Sequence, residues 1–91
     1  MKMSEEFKTF GLQFIQDIEL RGETLDELLQ SVLGPFKGDA RVRLRAFLDE
    51  AVNARVSDAE LQTLWNATPS DIYFRDASEL RVMLTAARDR L

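Results

Sequence analysis

Residues 4–20 read Ser-Glu-Glu-Phe-Lys-Thr-Phe-Gly-Leu-Gln-Phe-Ile-Gln-Asp-Ile-Glu-Leu. Phe7, Phe10, Phe14 and Ile18 recur at spacings of three and four, with Met3 before them and Ile15 beside them. That spacing puts one wide apolar stripe on a helix, expected over about Ser4 to Leu20. Ser4 suits the N-cap, and Glu5 and Glu6 in the first turn complement the helix dipole. Gly11 costs up to about 1 kcal/mol relative to Ala inside a helix. A glycine there permits close approach of a neighbour.

The same grammar repeats down the chain. Arg21-Gly22 breaks the first pattern, and Thr24 with Glu27 forms a capping box before a second helix at Leu25. Its apolar face is read as Leu25, Leu28, Leu29, Val32 and Leu33. Gly34-Pro35 ends it, with Gly34 expected as a left-handed cap. Asp39 is expected to cap a third helix running to about Ala54, with Ala40, Leu44, Phe47, Leu48 and Ala51 inward. Arg41, Arg43 and Arg45 fall on its outer surfaces, and Arg45 is spaced to pair with Asp49. Ser57 and Glu60 open a fourth helix, about Asp58 to Ala67, with Leu61, Leu64 and Trp65 inward. Ile72-Tyr73-Phe74 is too short for a sheet and reads as an extended segment that lays aromatics on the core. Asp76 and Glu79 suggest a third capping box. The last helix is expected from Ala77 to about Arg90, with Leu80, Met83, Leu84, Ala87 and Leu91 on one face. Short one-faced helices must pack on each other. The expected fold is all-α, a single domain over residues 1–91 made of about five short helices.

Composition limits the chemistry. The 91 residues contain 12 Lys+Arg, 16 Asp+Glu, no His and no Cys, for a net charge of -4. A thiolate nucleophile, a Ser-His relay and the usual zinc ligand sets are therefore absent. Asp49 and Glu50 are adjacent on a helix and diverge, so no carboxylate pair is marked for acid–base work. The expectation is no enzyme, no cofactor and no metal site. The start is acidic and lacks the apolar region of a signal peptide. No apolar run approaches the roughly 20 residues of a membrane span. No membrane association and a cytoplasmic location are expected.

Charge is uneven. Residues 1–40 carry four basic and eight acidic residues, whereas residues 41–91 carry eight of each. Arg41, Arg43 and Arg45 fan around their helix, and the segment Asp58–Ala67 holds no Lys or Arg, so no nucleic-acid partner is expected. Gln16 and Asp17, with Glu19, Glu23, Asp26 and Glu27, make the densest acidic stretch. It reads either as a solvated, capping-rich face or as a dock for a basic protein. Phe36 and Tyr73 lie outside regular elements, where either could be an exposed aromatic contact.

Four stretches together resemble a known family. Phe14-Ile15-Gln16-Asp17 is similar to the YFHQD stretch of bacterial contact-dependent growth inhibition immunity proteins. Leu44-Arg45-Ala46-Phe47-Leu48-Asp49-Glu50 continues the likeness. Ser57-Asp58-Ala59-Glu60-Leu61 resembles the family's SEEEL helix start. Leu80-Arg81 through Arg88-Asp89-Arg90-Leu91 is similar to its closing helix. The family has His before the Gln-Asp pair and Trp after it, where this chain has Ile15 and Ile18. Arg55-Val56 stands in place of the family's Gly before the Ser cap. The resemblance implies a non-catalytic protein that binds and neutralises a cognate toxin domain in the cytoplasm by masking a surface the toxin needs. Gln16 and Asp17 are the positions it carries over. An acidic binder suits a basic toxin cleft. The competing expectation is a structural or regulatory helical module, acting as a homo-oligomer or as a subunit of a larger assembly.

Overall fold

The computed structural model describes residues 1–15 and 24–91. Five helices follow in order: α1 (Glu5–Leu12), α2 (Leu25–Leu33), α3 (Asp39–Ala51), α4 (Asp58–Asn66) and α5 (Ala77–Asp89). No strand occurs among the described residues. The molecule is a small all-α bundle in which α5 packs on α3 and α4, and α1 packs on α3.

The core is built from the expected stripes. Phe7 and Phe10 of α1, Leu29, Val32 and Leu33 of α2, and Leu44, Phe47, Leu48 and Ala51 of α3 are buried. Leu61, Leu64 and Trp65 of α4 join them, as do Leu80, Met83, Leu84 and Ala87 of α5. Leu25 departs from the reading: at the first position of α2 it is an exposed apolar residue. Ala40, Leu28 and Leu91 are half-buried against the core's edge.

Trp65 organises the aromatic centre. Its ring meets Phe7, Phe10, Phe14 and Phe74 edge-on, at centroid distances of 6.0, 6.1, 5.1 and 5.7 Å. Edge-to-face contacts set the positive rim of one ring against the negative face of another. Gly11 makes the fit of α1 possible. A Cβ there would lie 2.5 Å from both Cβ and Oγ1 of Thr68, two residues past the end of α4.

Helix boundaries depart from the sequence reading where tertiary bonds compete. The first helix ends at Leu12, and the part of its expected span from Gln16 to Leu20, with Ile18, lies outside the described residues. Gln13 and Phe14 donate to Phe10 and Gly11 in tight three-residue steps. The Phe14 carbonyl then accepts the Asp71 amide at 2.9 Å, a bond that a continuing helix would need for itself. The third helix ends at Ala51, because the carbonyls of Val52 and Asn53 turn to the Arg81 guanidinium. Asp39 is the first residue of α3 and not its cap. Gly38 holds the cap position with φ 60° and ψ -132°, a backbone that favours glycine. Gly34 closes α2 in right-handed geometry, with φ -53°, so no left-handed cap forms.

The caps also differ in detail. Ser57 accepts the Glu60 amide, but the Glu60 carboxylate takes the Met1 ammonium at 2.8 Å instead of reaching back. Asp76 accepts from the Ser78 amide and hydroxyl, each at 2.8 Å, so the expected Asp76–Glu79 box is replaced by a tighter turn. Both bonds favour the carboxylate, the backbone one most, and hold Asp76 below its ordinary pKa of 3.8.

Candidate partner-binding surface

The segment between α4 and α5 is extended, so its side chains alternate. Ile72 and Phe74 turn inward and are half-buried against the core. Asp71, Tyr73 and Arg75 turn outward and are exposed. Tyr73 is 65% exposed, the most exposed aromatic among the described residues.

The backbone beneath Tyr73 is fixed on both sides. The buried Trp65 indole donates from Nε1 to the Ile72 carbonyl at 2.9 Å. Ser70 Oγ also donates to that carbonyl at 2.9 Å and accepts the Ile72 amide at 3.0 Å. Gln62 Nε2 donates to the Phe74 carbonyl. Asp71 bonds the Phe14 carbonyl, which brings the segment beside Ile15, itself 41% exposed. A carbonyl on each side of Tyr73 is thus held by the α4 helix. A tyrosine carried on such backbone loses little freedom on contact, and its two torsions leave a large amphipathic face to offer.

The other sequence-derived positions fare differently. Phe36 is buried at 5% exposure, because its amide folds back on the Leu33 carbonyl and turns the ring into the core. It is a packing residue, not a contact. Asp26 is exposed but holds Arg90, with Oδ1 2.6 Å from Nη2 and 2.9 Å from Nε. Glu27 accepts the Thr24 hydroxyl at 3.1 Å while its amide donates to Thr24 Oγ1, completing the first cap. Both acids therefore serve α2 and its link to α5. Gln16, Asp17, Glu19 and Glu23 lie outside the described residues.

Arginines on α5 are structural as well. Arg81 donates to the carbonyls of Val52, Asn53 and Val56 and pairs with Asp58 at 3.1 Å. Arg88 takes Asp49 at 3.4 Å, in place of the expected Arg45–Asp49 pair. Among the described residues, no group of three or more His, Cys, Asp or Glu side chains gathers where it could hold a metal ion. No described helix is long and apolar enough to cross a membrane.

Sequence reasoning missed the bond that ties Asp71, near Tyr73, to the Phe14 carbonyl. The alternation of apolar and polar residues over 71–75 carries the outward pairing of Asp71 with Tyr73. The bond from Asp71 to Phe14 spans 57 residues and has no local signal. No family model, curated protein or solved structure matches the chain.

Proposed function

We propose that this protein is a non-catalytic protein-binding module, and that Tyr73 on its pinned loop is the anchor of the contact. The observation that carries the reading is a large, exposed aromatic on backbone that the buried Trp65 and Gln62 side chains hold in place. Proteins keep such rings at interfaces, where a few aromatic anchors dominate the binding energy. Asp71 and Arg75 flank the ring with opposite charges, and the acidic stretch that follows Ile15 in sequence suits a basic partner.

The finer proposal is an immunity protein that binds a cognate, basic toxin domain in the bacterial cytoplasm and masks a surface the toxin needs. It rests on the sequence resemblance through Gln16-Asp17, Leu44–Glu50, Ser57–Leu61 and the last helix. The test is calorimetric titration against the C-terminal domain of the protein encoded beside this one, at two salt concentrations. The expected result is 1:1 binding that weakens with salt. Tyr73→Ala should weaken it by at least about tenfold, the size of a contact worth more than about 1.4 kcal/mol. Absence of binding at both salts would remove the immunity reading. Tight binding unchanged by Tyr73→Ala would keep the partner and move the contact elsewhere.

A further inference from the structure

A second feature lies away from the Tyr73 loop. A groove of about 450 Å³ opens between α2, the start of α3 and the end of α5, lined by Asp26, Gln30, Leu33, Gly34, Arg41 and Arg90. Arg41 is expected from sequence on an outer surface, but it is half-buried here. One of its terminal nitrogens donates to the Arg90 carbonyl at 2.6 Å, and the other makes a long 3.5 Å contact with the Phe36 carbonyl. A guanidinium has five N–H donors in a rigid fork, so further donors are left over. No carboxylate pairs with Arg41 among the described residues. The one acid in the groove, Asp26, is already taken by Arg90 through two N–H groups. Among the described residues the groove thus keeps one positive charge with no carboxylate partner, in a protein whose net charge is -4.

We infer that this groove binds a small organic oxyanion, with the free edge of the Arg41 guanidinium gripping a carboxylate or phosphate group and Gln30 beside it. Four features favour this. Arg matches the planar fork of an oxyanion, and such bonds are about twice as strong as neutral ones. Half-burial lowers the local dielectric, which strengthens the attraction. Two carbonyls hold the guanidinium, so little order is lost on binding. The volume falls within the usual range of small-molecule sites, with Leu33 as an apolar wall, so it exceeds the needs of a bare ion.

The experiment uses the full chain, labelled with ¹⁵N, in low-chloride buffer at neutral pH. Acetate and inorganic phosphate are titrated separately, and the Gln30 side-chain amide, the Gly34 amide and the Arg41 Nε–H are followed. The expected result is a saturable shift at these groups for at least one probe. Acetate saturating at lower concentration assigns a carboxylate ligand, and phosphate doing so assigns a phosphorylated one. Arg41→Gln should weaken binding at least tenfold. Because that change also removes the tie to Arg90, Gln30→Glu serves as a second variant. It adds a negative charge at an exposed position, should leave the fold intact and should abolish the shift. A linear, non-saturating drift with both probes would overturn the site. So would binding that Gln30→Glu leaves unchanged.

Discussion

At Gly11 a hydrogen stands where any other residue would bring a carbon into Thr68. Alanine has the better helix propensity, by up to about 1 kcal/mol. The 2.5 Å approach to Thr68 opposes it, since overpacking costs about 1–3 kcal/mol. Steric cost wins because both Cβ and Oγ1 of Thr68 are in the way, and Oγ1 is held 2.6 Å from the Trp65 carbonyl. Gly11→Ala should therefore lower stability by about 1–2 kcal/mol in urea unfolding. Combining it with Thr68→Gly should cost less than the two changes added separately, as contacting residues do. Asp76 offers a test of a different kind. Its folded pKa is depressed, so its contribution to the cap of α5 is fully present above the ordinary value of 3.8. That contribution is lost as pH falls through the lower folded value. An NMR titration of the Asp76 carboxyl carbon should show a midpoint below 3.8, and Ser78→Ala should raise it by removing the hydroxyl donor.

Among the elements, the end of α3 depends on a side chain from α5. Arg81 satisfies carbonyls of Val52, Asn53 and Val56 that the helix itself leaves open. Arg81→Ala should cost about 1–3 kcal/mol, because charged hydrogen bonds in part-buried positions are replaced by unpaired carbonyls. Arg88→Ala removes surface pairs with Asp49 and Asp89 and should cost less than about 1 kcal/mol. Comparing the two in thermal melts separates the roles, and equal effects would count against the Arg81 cap. The same element shows what the sequence makes legible. Heptad-like spacing and Ser or Thr caps mark the starts of α1, α2 and α4 because their cause is local. The stops at Leu12 and Ala51 are set by Asp71 and Arg81, about 60 and 30 residues away, and no local pattern encodes them. Tyr73 is legible as an aromatic outside a helix, and Phe36 equally so. Only tertiary packing separates them, by folding Phe36 under the α2–α3 turn and Tyr73 outward.

Across the whole molecule, one indole joins α1, α4 and the Tyr73 loop. Trp65→Ala would remove four ring contacts and the donor to Ile72, and large aromatic truncations cost about 3–5 kcal/mol. A domain of this length has about 5–14 kcal/mol in total, so the variant should lose a large share of its stability and melt at a clearly lower temperature. Trp65→Phe should retain the fold and lose protection of the Ile72 region in hydrogen exchange, since the indole N–H is gone. In the wild type the single tryptophan sits at the centre of the core, so fluorescence and circular dichroism should give one coincident urea transition.

The bond from Asp71 to the Phe14 carbonyl has a further consequence during synthesis. Phe7, Phe10 and Phe14 leave the ribosome early, while Trp65, Asp71 and Phe74 follow more than fifty residues later. At about 5–20 residues per second, Phe10 and Phe14 wait about 3–12 s for these partners, whereas Phe7 meets Phe47 of α3 sooner. Until then Phe10 and Phe14 lack their edge contacts with Trp65, and exposed aromatic surface of that kind is what chaperones bind. The seat of the first helix on Trp65 is therefore completed only after most of the bundle has been made.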